Sequence, residues 1–218
     1  MKKSLLSFAI IALISFTSCK KESTEDATKT DEASESSASG SYTVDAASSV
    51  INWVGSKPAG KHTGTISLAD GSFDVTDGNV TGGNFTIAMN SITVTDLEGE
   101  DKMNLETHLK GTGDKESEDH FFNVTKYPTG NFKMLSAEPE SGAYFVKGIL
   151  TLKGISKEVN FSAEIIMTDT EIKLTSDPFK INRTTWNVNY ASKSLFDNLK
   201  DKFIDDDIEL VVKVIAKK

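Results

Sequence analysis

Few side chains in this 218-residue sequence are of a type and spacing that could do chemistry. Cys19 is the only cysteine, so no disulfide can form within the chain. The histidines, His62, His108 and His120, do not pair at the short spacings of zinc motifs, which argues against a metal site. Arg183 is the only arginine among 24 basic residues, in a strand-like run between Ile181 and Trp186. Its planar five-donor fork suits bidentate binding of a carboxylate or phosphate headgroup. An ion pair with an acidic neighbour, such as one of Asp205, Asp206 and Asp207, is the commoner use of such a group and the favoured reading. No Gly-x-Ser-x-Gly elbow occurs, and nothing pairs a nucleophile with a base and an orienting group. The chain is therefore expected not to be an enzyme, and no cofactor is implied.

The segment around Cys19 points elsewhere. Lys2 and Lys3 precede an apolar run over residues 5–14 that only Ser7 interrupts. Ten residues are too few to cross a bilayer, which takes about 20, so residues 1–18 read as a signal peptide. Thr17 and Ser18 before the cysteine resemble the lipobox of bacterial lipoproteins, although Phe16 stands where that pattern usually has leucine. The resemblance implies that Cys19 is acylated and becomes the mature N-terminus, anchoring the protein in the envelope of a Gram-negative bacterium. The periplasmic and outer-membrane surface faces both stay open.

Residues 20–41 contain no aromatic, proline or branched aliphatic side chain. With no apolar burial to offset the entropy of ordering, residues 19–40 read as the acylated cysteine and a disordered acidic tether. The folded part is then residues 41–218, long enough for one hydrophobic core and too short to suggest two. The formal charge of -8, more negative still once Lys2 and Lys3 leave with the leader, repels phosphate backbones. Nucleic-acid binding is thereby excluded as a function class, and membrane attachment falls to the acyl chains. The oligomeric state, monomer or homodimer, stays open.

From Tyr42 onward the dominant period is two. Val159, Phe161, Ala163, Ile165 and Met167 alternate with polar residues, with Ile166 out of step, and Ile208, Leu210, Val212, Val214 and Ala216 do the same near the C-terminus. Tyr144, Val146, Leu150 and Leu152 repeat the theme, as do Phe85, Ile87 and Met89. Asp70-Gly71, Asp77-Gly78 and Ser141-Gly142 are candidate hairpin turns. The pattern predicts an all-β fold of about eight to ten strands, an up-and-down antiparallel barrel or a sandwich. Leu105, His108 and Leu109 share a helical face and predict a helix over residues 101–110; a second short one is expected near residues 193–203.

Tyr42-Thr43-Val44-Asp45, Ser49-Val50-Ile51-Asn52-Trp53, His108-Leu109-Lys110, Phe121-Phe122-Asn123-Val124 with Tyr127-Pro128, and residues 148–154 (Gly-Ile-Leu-Thr-Leu-Lys-Gly) occur in one order. Together they resemble the YceI-like family of lipocalin-like proteins from Tyr42 to Ala216. Arg183-Thr184-Thr185-Trp186 and Asp207-Ile208-Glu209-Leu210 are similar to its lipoprotein branch. The resemblance implies an elongated antiparallel lipocalin-like barrel of about eight strands with one or two short helices. It also implies a tunnel for a polyisoprenoid, quinone-like or fatty amphiphile. The segment between Lys110 and Asp119 is longer than the family pattern and is expected near the barrel mouth.

An eight-stranded barrel is either filled by side chains or wide enough for one small ligand. Trp53, Phe85, Tyr144, Phe161 and Trp186 could line a tunnel or plug it, and the resemblance adds Phe121 to the candidate wall. His108 is either a hydrogen-bonded boundary residue or a headgroup contact. The function expected is that of an envelope lipoprotein carrying a long apolar amphiphile. The alternative is a structural or interaction lipoprotein with a filled barrel and no ligand.

Overall fold

The computed structural model describes residues 39–218; the leader, Cys19 and all but the last two residues of the tether lie outside them. The period-two runs become strands β1 (Gly40–Val44), β2 (Val50–Lys57), β3 (Gly60–Ile66), β4 (Leu68–Thr76), β5 (Asn79–Ala88) and β6 (Thr93–Val94). After helix α1 (Gly99–Lys110) come β7 (Thr129–Glu140), β8 (Ala143–Leu152), β9 (Ile155–Met167), β10 (Glu171–Ser176), β11 (Phe179–Asn182) and β12 (Asp207–Lys217). These exceed the expected number because local breaks divide longer strands. A 3₁₀ turn at Ala46–Ser48 separates β1 from β2, and Asp177 with Pro178, whose ring nitrogen cannot donate, separates β10 from β11.

The hydrogen-bonded order β1-β4-β5-β7-β8-β9-β10-β12 returns to β1 through Thr43 opposite Lys217 and Val44 opposite Ala216, so eight strands close an antiparallel barrel. Closure leaves these eight strands without a free edge of the barrel. The long β12 changes partners along its length. Residues 213–217 complete the barrel against β10, and residues 208–213 pair with β2, which carries β3 and β6 beside it.

Three tight turns fix the registers. Asp77-Gly78, Ser141-Gly142 and Lys153-Gly154 all have positive φ at both central residues, the type I′ geometry whose twist matches a hairpin. Asp70-Gly71 is not a turn: both residues lie inside β4, where a register shift between Leu68 and Asp70 absorbs the irregularity. Helix α1 starts two residues before the expected position, with Glu100 and Asp101 in its first turn, and ends at Gly111, whose φ of 66° makes a left-handed cap. Glu106 accepts a hydrogen bond from the Val94 N–H at 2.9 Å and so docks the helix on β6. The second expected helix is only a three-residue 3₁₀ turn, Lys200–Lys202, within an irregular segment.

The two ends of the barrel differ in filling. Tyr42, Phe73, Val146, Ala163, Ile172 and Ala216 have no exposed surface, and the Tyr42 hydroxyl donates to the Thr168 carbonyl at 3.0 Å. Along β12 the inward residues Val214 and Ala216 are buried there, whereas Ile208, Leu210 and Val212 on the same face stay partly accessible. The interior is solid at one end and open at the other.

Candidate ligand-binding cavity

The open part is a cavity of about 360 Å³, within the roughly 300–1,000 Å³ range of small-molecule sites. Its wall is the inward face that strand alternation selects: Ile51 and Trp53 of β2, Phe85 and Ile87 of β5, Leu150 of β8, Phe161 of β9, and Ile208, Leu210 and Val212 of β12. Phe73 forms part of this wall and meets Phe85 edge-on with ring centroids 4.9 Å apart, while Phe161 stacks on Phe179 at 4.5 Å. The Trp53 Nε1–H is buried with no acceptor among the described residues.

Polar lining gathers at one end, where Ser56, Lys57, His62, Arg183 and Asp205 join the wall. Lys57 and Tyr190 are the exposed lining residues, so the cavity meets the surface there. Helix α1 contributes Leu105, His108 and Leu109, the face that its spacing predicts. His108 Nε2 and His120 Nδ1 lie 2.9 Å apart and share one hydrogen bond. The His108 ring packs edge-on against Phe121 at 5.1 Å and Tyr190 at 4.7 Å, and His120 stacks on Tyr190 at 4.3 Å. Burial holds the His108 pKa below the usual imidazole value, with the neighbouring His120 adding to the effect. His120 brings the long segment after Lys110 to this end of the cavity.

Arg183 is buried and spends its donors on the backbone: Nε to the Asp205 carbonyl at 3.0 Å, Nη1 to Val188 at 2.7 Å and Nη2 to Ile204 at 3.1 Å. Its ion pair with Asp206 is longer, at 3.6 Å. Burial lowers its pKa, and Asp206 and Asp205 oppose that shift. The guanidinium sits 5.9 Å over the Phe121 ring, so this lone arginine reaches the cavity wall with each of its three nitrogens already donating to a main-chain carbonyl.

Of the candidate ligand-binding residues, Trp53, Phe85, His108, Phe121, Phe161 and Arg183 line the cavity, and Tyr144 and Trp186 do not. Tyr144 stands opposite Ala163 in the solid end. Trp186 is core, its Nε1 donating to the Leu150 carbonyl at 3.2 Å. Phe73, Phe132, Phe179 and Tyr190 are wall residues that sequence reasoning missed. Period two marks Phe73 and Phe132 as readily as Phe85, but Tyr190 lies in irregular backbone with no such signal. Lys153 was missed too. From its turn, at φ 49°, its ammonium donates to the carbonyls of Phe121 at 2.8 Å, Asn187 at 3.2 Å and Asp119 at 3.3 Å. It also pairs with the Asp119 carboxylate at 2.8 Å, which holds that carboxyl below its usual range. Among the described residues no three His, Cys, Asp or Glu side chains gather as a metal site.

The family model described as YceI-like domain matches residues 42–216. No curated protein matches the chain by sequence. Among solved structures, a polyisoprenoid binding domain from Saccharophagus degradans, implicated in plant cell wall breakdown, is similar at 15% identity and a TM-score of 0.60, covering 81% of this chain and 97% of that one. BcnA of Burkholderia cenocepacia is similar at 18% identity and a TM-score of 0.61, covering 79% of this chain and 99% of its own. At these identities the likeness is one of fold.

Proposed function

The chain belongs to the YceI-like domain family, and from that premise we propose that its barrel binds one long apolar amphiphile, of polyisoprenoid, quinone-like or fatty acyl or amide type. The carrying observation is the cavity itself, whose wall is apolar along its length and polar only where it meets the surface. That polarity gradient matches a molecule with a long apolar tail and a small polar head. The similarity to the polyisoprenoid binding domain from Saccharophagus degradans supports the same class. Burying about ten methylenes contributes roughly 8 kcal/mol, from which the costs of association and ordering are subtracted.

The protein acts as a carrier or store with no catalytic step. A packed barrel serving only as an interaction scaffold would have no use for an apolar hollow lined by Trp53, Phe85 and Phe161. Native mass spectrometry or organic extraction of the purified chain should recover an isoprenoid or acyl amphiphile. Empty protein that also fails to bind a quinone or prenyl probe would refute the reading. The leader supports a further part of the proposal: acylation at Cys19 holds the carrier on a membrane of the cell envelope. Cys19→Ser should abolish detergent partitioning, and an unchanged partition would remove the anchor from the account.

A further inference from the structure

Among the described residues six large apolar side chains are conspicuously exposed, and three of them, Tyr190, Leu195 and Phe196, fall within one seven-residue stretch. Leu195 is 53% exposed and Phe196 50%. The stretch belongs to the irregular segment between Trp186 and β12 and is tethered at both ends. Arg183 Nη1 holds the Val188 carbonyl, Nη2 holds the Ile204 carbonyl, and the Ile204 N–H donates to the Ala191 carbonyl at 2.8 Å. Near its tip the Phe196 N–H donates to the Ser192 carbonyl at 3.1 Å. Two neighbouring apolar side chains are thus presented to the outside by anchored backbone.

The location narrows what covers them. Tyr190, in the same stretch, is a lining residue where the cavity meets the surface, and Ile204 and Asp205 at the far end of the segment also line it. Lys193 is held by Asp205 at 2.7 Å, and Lys200 and Lys202 follow the pair with Asp197 and Asp201 among them, so the segment carries no excess of positive charge and its contact is an apolar one. Lysine stems can lie along an apolar boundary with their heads in water. An exposed apolar pair bordered by lysine stems is the chemistry of an interfacial membrane contact.

We propose that Leu195 and Phe196 insert into the surface of a lipid bilayer and seat the cavity mouth on it, so that the apolar occupant enters without crossing water. The inference rests on the binding reading above, because only an occupant that resides in lipid needs such a seat. Arg183 then holds the docking loop in place, and its carbonyl contacts are the means.

The test compares the full wild-type chain with Leu195→Ser/Phe196→Ser. Each is loaded with a fluorescent prenyl probe, once from vesicles of phosphatidylcholine and phosphatidylglycerol and once from dilute aqueous solution. The vesicle-loading rate of the variant should fall by about tenfold or more, while occupancy reached from solution is unchanged. Leu135→Ser, which removes an exposed apolar side chain from β7, should load from vesicles at the wild-type rate. Equal vesicle rates for wild type and the double variant, or an equal slowing by Leu135→Ser, would overturn the docking inference alone. Self-association abolished by the double variant with vesicle loading unaffected would give the patch to a second copy and overturn it too. No loading of the wild type from either source would remove the binding reading and this inference together.

Discussion

Lys153→Met isolates one ammonium at the join of three segments. The substitution preserves side-chain length and meets the same positive φ, so the turn strain is unchanged. It removes a 2.8 Å charge-assisted bond to the Phe121 carbonyl, worth about 1.5–3 kcal/mol. Longer bonds to Asn187 and Asp119 at 3.2 and 3.3 Å add roughly 0.5–1 kcal/mol each. The ion pair adds little. Although its distance is 2.8 Å, the Asp119 side chain is 69% exposed, and a carboxylate so well hydrated contributes about 0–1 kcal/mol through pairing. The expected loss is therefore about 3 kcal/mol, or roughly 6–12 °C in Tm for a domain of this size. Urea and thermal melts followed by near-ultraviolet circular dichroism provide the measurement. Asp119→Asn should cost less than about 1 kcal/mol in the same assay. If Asp119→Asn destabilised as much as Lys153→Met, or if Lys153→Met left the melt unchanged, the assignment of the energy to the backbone carbonyls would be wrong. Probe affinity should also fall, because Phe121 is a wall residue whose carbonyl the ammonium holds.

Other perturbations separate fold from cavity. Ala163→Asp, in the solid end, places a carboxylate where no surface is exposed and should cost several kcal/mol in a denaturant melt, on the order of 3 or more, whereas Ser162→Asp on the outer side should stay within about 0.5 kcal/mol. Val212→Asp, in the open end, should abolish probe loading at a smaller stability cost, because the cavity can hydrate the new group; equal stability losses for Val212→Asp and Ala163→Asp would contradict the division of the barrel. For His108, whose folded pKa is depressed below the unfolded value of about 6.5, the unfolded chain binds more protons between the two values, so stability rises with pH across that window and is lost as pH falls through it. His120, Asp114, Tyr190 and Phe121 are the groups around it that set the response; a Tm measured from pH 7.5 to 5 should drop more steeply for wild type than for His108→Asn, and parallel curves would falsify the assignment. Gly148→Ala should slow or weaken loading, since a methyl there would come within 2.2 Å of Phe132 Cζ and push that ring off the wall; unaltered probe affinity would show that the ring has room to yield.

The barrel was legible because alternation is a local signal with a global meaning. The inward series of β9 and β12 follows directly from residue spacing, and the face of α1 from its i, i+3 and i+4 positions. Alternation specifies the side of a strand but not the height along the barrel axis. That is why Tyr144, correctly placed on the inner face of β8, belongs to the solid end rather than to the cavity. Turn dipeptides failed for a related reason: Asp70-Gly71 has turn composition, but the pairing of β4 with β5 carries it through a bulge. Arg183 was recognisable as unusual, and Asp206 is near it, yet its shorter contacts are to three main-chain carbonyls. Every residue supplies such an acceptor, so no sequence pattern marks them. The docking segment carries no period at all, and the exposure of Leu195 and Phe196 emerges only once both ends are tied to Arg183.

How one eight-stranded barrel stays open at one end can be traced to small residues facing large ones. A Cβ at Gly64 would lie 2.3 Å from Trp53 Cζ2, so the indole of β2 lies against the bare backbone of β3. A Cβ at Gly148 would meet Phe132 in the same way, and that ring lies against β8. In both places glycine lets an aromatic lie along the wall instead of projecting across the lumen. At the other end Tyr42 and Phe73, paired across β1 and β4, are fully buried, and the Tyr42 hydroxyl reaches the Thr168 carbonyl just beyond β9. Side chains cross the lumen there and close it. The hollow is consequently written into Gly64 and Gly148 as much as into the aromatics that line it, and a reading that counts only hydrophobic residues assigns both ends to core.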